Sequence, residues 1–214
     1  MDEETIVLSR NNTYYNNIKE CFKDHRRSLK KAIKASLKGG YNVNYVPQHN
    51  LGCPILHVVL SNPKESGVED VMLLLSAGAD VNVTDNDGWT GLMYTVYYNW
   101  DPTVIKEILD RTKDINALSN NSKRTALGLF CGGILQEASY HKHRQSLTAR
   151  SKSILKDFLD AGADPELDRG WIDVKFSSSH LEVLQKELLA YIEAYREHQN
   201  ILKTKTESAF EYEL

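Results

Sequence analysis

The 214 residues, 41% hydrophobic and 26% charged, have the make-up of one ordinary folded domain or one array. A net charge of −3 and a pI near 6.2 offer no overall attraction to nucleic acid or to anionic lipid. No apolar run approaches bilayer-spanning length, and Met1 to Arg10 lacks the basic start and unbroken apolar middle of a secretory signal, so a cytoplasmic protein without membrane partners is expected.

Residues 1–12 read as an N-terminal tail. Tyr14, Tyr15, Ile18 and Phe22, then Leu29, Ile33 and Leu37, follow helical spacing and predict a first helical pair with a polar outward face. Gly39-Gly40-Tyr41-Asn42-Val43-Asn44 ends it. Pro54-Ile55-Leu56-His57 opens the next pair, whose second helix carries Val71, Leu74 and Leu75 and stops before Gly78-Ala79-Asp80-Val81-Asn82. Glycine after the last apolar turn permits the left-handed backbone that closes a helix. Asp85-Asn86-Asp87-Gly88 is turn chemistry, and Thr90-Gly91-Leu92-Met93 follows with a hydroxyl suited to capping. The stripe Val104, Ile105, Ile108, Leu109 leads to Lys113-Asp114-Ile115-Asn116, and Thr125-Ala126-Leu127-Gly128 starts another pair. An insertion near 132–149 is expected to form a mobile polar lobe. Beyond it lie Ile154, Leu155, Phe158 and Leu159, then Ala161-Gly162-Ala163-Asp164-Pro165. Arg169-Gly170-Trp171 begins a degenerate unit, and Leu181, Leu184, Leu188, Ile192 and Tyr195 describe one long amphipathic helix. From Lys203 the periodicity fails, and 203–214 read as a frayed tail.

The helix exits therefore recur, with matched positions Asn44, Asn82, Asn116 and Pro165 falling 38, 34 and 49 residues apart. A repeat of about 33 residues with this turn chemistry resembles the ankyrin repeat. The resemblance implies an all-α fold, a solenoid of stacked helix-turn-helix units with short β-turn fingers, in which each unit's apolar stripe is buried by its neighbour. It gives one repeat domain over 13–202, with approximate units 13–44, 45–82, 83–116, 117–165 and 166–202. The first helical pair and the long C-terminal helix are its caps.

Function follows the same resemblance. Ankyrin arrays bind partners through turn tips and inner helices, which in the middle unit correspond to Asn86, Asp87, Trp89, Tyr97 and Tyr98, with Trp100 next in sequence. Corresponding positions elsewhere are Asn50, Leu51, Cys53, Ser61 and Asn62; Asn121, Ser122, Arg124, Gly132 and Gly133; and Asp168, Arg169 and Trp171. Trp and Tyr dominate interface hot spots because they bury much area at little rotamer cost. The expectation is a non-catalytic module that binds a protein partner, as an inhibitor, adaptor or effector, and that is monomeric alone. Consensus histidine His57 is expected to serve structure by bonding a neighbouring turn.

Two other clusters bear on function. Between Lys19 and Lys38 stand Lys19, Lys23, Arg26, Arg27, Lys30, Lys31, Lys34 and Lys38 against Glu20 and Asp24, either a solvated outer face or a docking patch for an acidic partner or a phosphate backbone. Binding of nucleic acid there lacks aromatic interleaving or a groove-reading motif. His141 and His143 in the insertion, with Glu137, would be the acid and base groups of an enzyme. No glycine-rich phosphate loop, His-Glu-x-x-His or nucleophile elbow accompanies them, so no catalysis, metal or cofactor is expected. Cys21, Cys53 and Cys131 lack the paired spacing of a zinc or redox site and read as reduced packing residues.

Overall fold

The computed structural model describes residues 3–23, 28–48, 52–140, 146–168, 170–171 and 179–211, with side chains described as far as 204. Among them are nine α-helices and no strand. Two compact units divide the chain, Met1–Ala126 and Leu127–Leu214.

In the first unit six helices pair off: α1 (Glu3–Glu20) with α2 (Leu29–Lys38), α3 (Ile55–Leu60) with α4 (Val68–Ser76), and α5 (Gly91–Tyr97) with α6 (Pro102–Leu109). The first helices of the pairs form one layer, α1 on α3 on α5, and the second helices form another, α2 on α4 on α6. Sequence dictates this. Ile33 on α2, Val71 and Leu74 on α4, and Val104 and Ile108 on α6 are fully buried, so each hairpin's stripe is sealed by the next. A fully buried aliphatic side chain contributes about 1.5–3 kcal/mol, which is more than a short helix supplies through backbone propensity.

Local chemistry marks each boundary. Thr90 Oγ1 accepts from Met93 N at 3.3 Å, and Asp101 Oδ1 accepts from Thr103 N at 2.8 Å ahead of Pro102, two N-caps that satisfy otherwise orphaned donors. The exits close alike: Tyr41 N donates to Ser36 O and Ala79 N to Leu74 O, both at 3.0 Å, around Gly40 and Gly78 with φ of 85° and 87°. This is the Schellman closure, whose left-handed residue is least strained as glycine. After each exit an Asx turn follows, with Asn44 N donating to Asn42 Oδ1, Asn82 N to Asp80 Oδ1 and Asn116 N to Asp114 Oδ1 at 2.9–3.0 Å. Two asparagines then clamp neighbouring hairpins. Asn44 donates to Gly78 O and accepts from Asp80 N, at 2.9 and 2.8 Å; Asn82 donates to Arg111 O and accepts from Lys113 N, at 3.2 and 2.7 Å.

The second unit holds α7 (Ala126–Tyr140), α8 (Ala149–Asp160) and α9 (Ser179–Glu211). Phe130 and Phe158 stack with centroids 6.0 Å apart, and Leu181, Leu184, Leu188 and Ile192 bury α9 against its unit. Tyr191 donates to Lys152 O at 3.0 Å, and Lys152 meets Glu187 at 3.1 Å.

Three expectations about the elements change. Helix α1 begins at Glu3 rather than after residue 12, and within it Asn11 accepts from Asn42 N at 3.0 Å and Asn12 from the Tyr45 hydroxyl at 2.7 Å. The start of the 132–149 insertion is helix, not a polar lobe. Ile134, Leu135 and Ala138 continue the buried stripe of α7, and their burial outweighs the roughly 1 kcal/mol by which each of Gly132 and Gly133 disfavours a helix. His141 and His143 lie outside the described residues. Last, α9 runs past Lys203 to Glu211, a stretch in which Lys, Glu and Ala carry good helix propensity.

Candidate protein-interaction site

A buried carboxylate organises the middle finger. Asp85, 7% exposed, accepts from Asp87 N at 3.0 Å and Trp89 N at 2.9 Å through Oδ1, while its backbone N–H donates to Trp89 O at 3.2 Å. Oδ2 accepts from the Tyr94 hydroxyl at 2.8 Å, tying the finger to α5. Gly88, at φ 75°, closes the turn, and a Cβ there would strike the Asn120 backbone at 2.9 Å. The next finger stacks on this one. Asn120 N donates to Asp87 O at 2.8 Å, Asn120 Nδ2 to Asn86 O at 3.1 Å, and Asn121 Nδ2 to Asp87 Oδ1 at 3.0 Å.

Upon this frame stand four rings. Trp89 meets Tyr94 and Tyr97 edge-to-face at 5.5 and 5.2 Å, and Tyr97 meets Tyr98 edge-to-face at 5.1 Å. Tyr94 stacks on Tyr98 at 6.1 Å and on His57 at 4.7 Å. Helical spacing explains it, since residues three and four apart on α5 share a face. Burial raises the Tyr94 phenol, helped by its bonds to Asp85 and Cys53, so it remains a donor. Burial likewise raises the Cys53 thiol, keeping it protonated and a poor nucleophile. His57, 1% exposed, has no ring nitrogen in hydrogen-bonding geometry among the described residues; burial draws its pKa down to about 4, opposed by the nearby Val83 backbone.

Of the residues expected to touch a partner, Asn86, Asp87, Trp89, Tyr97 and Tyr98 are brought together here. Tyr97 is 56% exposed, Asn86 is exposed, and Asp87, Trp89 and Tyr98 are half-buried. Arg124, half-buried, closes the adjoining finger, its N–H donating to Ser119 Oγ at 3.0 Å. Two tryptophans are corrected. Trp100, only 4% exposed, donates Nε1–H to Leu60 O at 2.6 Å; the bend at Asn99 (φ 53°) turns the ring back into the α3–α5 core. Trp171, 2% exposed in the second unit, is likewise a packing residue whose carbonyl accepts from Gln185. Asn50, Leu51 and Arg169 lie outside the described residues. Sequence reasoning missed Tyr94 as the hub of the rings, although its spacing to Tyr97 and Tyr98 could have shown it. Among the described residues no group of three His, Cys, Asp or Glu side chains is placed to hold a metal.

No protein-family model matches the chain. A fowlpox virus (strain NVSL) protein whose name describes it as an ankyrin repeat protein is 33% identical over 97 residues, 44% of this chain and 27% of that protein. Another so described, from Acanthamoeba polyphaga mimivirus, is 43% identical over 67 residues, 31% of this chain and 41% of that protein. The chain is similar to ankyrin repeat proteins. It matches well under half the length of either relative. The first unit repeats paired helices and Asx turns, with Schellman exits at Gly40 and Gly78.

Proposed function

We propose that this ankyrin repeat chain is a non-catalytic protein-interaction module whose partner docks on the finger and inner-helix side of the first unit. Trp89, Tyr97 and Tyr98 form its centre, with Asn86, Asp87 and Arg124 around them. One observation carries the reading: a set of linked aromatic rings, one of them more than half exposed, sits on a finger fixed by Asp85. Such rings supply contact area with little rotamer entropy left to lose, and a frame already fixed lowers the ordering cost of association.

The test is a pull-down with the full chain, identification of what it captures by mass spectrometry, and titration of that protein against variants. Tyr97→Ala should weaken binding by about 2 kcal/mol while costing little stability, since much of the ring is solvated. Unchanged affinity for Tyr97→Ala and Tyr98→Ala alike would move the site elsewhere.

A further inference from the structure

Helix α2 breaks charge rules that other helices of the chain obey. The outer helix α6 pairs its exposed charges within one turn, Lys106 with Asp110 at 2.7 Å and Arg111 with Glu107. Helix α8 does likewise, with Lys156 on Asp160. Helix α2, by contrast, contains four lysines and no acid. Lys30 and Lys31 occupy its first turn, where the helix dipole disfavours a cation, and Lys30–Lys34 and Lys34–Lys38 are like-charge pairs at i, i+4. Lys30 meets Glu69 of α4, and that carboxyl is held below its ordinary range first by its bond to Lys30 and further by the more distant charge of Lys34. Lys31, Lys34 and Lys38 are exposed, share one face, and form no ion pair with any described residue.

We propose that the face of α2 bearing Lys31, Lys34 and Lys38 is a second docking site, for an acidic segment of a protein partner, separate from the aromatic site. Seven residues of helix rise about 10 Å, so carboxylates at i, i+3 and i+7 of a partner helix match the three ammonium groups in register. A long polyanion suits the face less well. The chain is negative overall even with these lysines included, and α2 has no aromatic side chain on which a base could stack. Lipid insertion has no apolar group to use, since the exposed residues of α2 are Lys30, Lys31, Lys34, Ala35 and Lys38.

The experiment is fluorescence anisotropy with the full chain and three probes: a labelled alanine-based helical peptide carrying Glu at i, i+3 and i+7 beside its Gln counterpart, a labelled oligodeoxythymidylate, and labelled phosphatidylserine vesicles. The Glu peptide should bind about tenfold tighter than the Gln peptide at low salt and lose that margin as salt rises. The triple variant K31Q/K34Q/K38Q should abolish the preference while melting no lower than the parent, and Tyr97→Ala should leave it intact, which separates failure here from failure of the aromatic site. Equal binding of the two peptides, or a preference that survives the triple variant, overturns the proposal. So does tighter binding of the oligonucleotide or the vesicles through the same lysines.

Discussion

Asp85 concentrates more of the site's geometry than any ring it supports. Its two oxygens take two backbone N–H groups and one phenol, so removing the carboxylate leaves three donors without their acceptor in a largely dehydrated place. Asp85→Ala should therefore cost about 2–4 kcal/mol in urea unfolding and loosen Trp89, visible as a shift in tryptophan emission. A loss of only a few tenths would mean that the finger is held by backbone alone. His57 acts through its proton instead. Its folded pKa, about 4, lies below the ordinary 6.5, so the unfolded chain binds more protons between those values. The stability difference is fully present above 6.5 and is lost as pH falls toward 4, by about 1.4 kcal/mol per pH unit at most. Unfolding free energies of the parent minus those of His57→Leu should show that slope across the window. A flat difference would mean that the imidazole is hydrated or finds a proton acceptor.

Among the elements, the asparagine clamps tie successive hairpins of the first unit together. Asn82 satisfies Lys113 N and Arg111 O from one side chain, so Asn82→Ala breaks the bond between the α4 exit and the α6 exit. A loss of about 1–2 kcal/mol is expected, read as a lower urea midpoint with an unchanged slope. The recurrence of Asn44, Asn82 and Asn116 after three apolar stripes was legible beforehand, though not the clamping bonds that two of them make. The length of α7 was not. Gly132 and Gly133 are poor helix formers, and the burial of Ile134, Leu135 and Ala138 overrides that local preference. The bonds from Asn11 and Asn12 of α1 to Asn42 and Tyr45 were hidden too: they span more than 30 residues and leave no periodic trace.

Over the whole molecule, fold type was easier to read than exposure. Spacing of apolar residues and glycines gives the hairpins, whereas Trp89, Tyr97 and Trp100 look equally suited to a partner in sequence. Only the turn at Asn99 sends Trp100 inward and leaves Tyr97 in solvent. The proposed site lies within Met1–Ala126, and Leu127–Leu214 packs its own helices. Hydrogen–deuterium exchange of the full chain, with and without the captured protein partner, locates the docking surface. Slowed exchange on binding is expected to concentrate in residues 85–98 and in the adjoining finger around Asn120 and Arg124. Slowed exchange confined to Leu127–Leu214, with 85–98 unchanged, would contradict the proposed site.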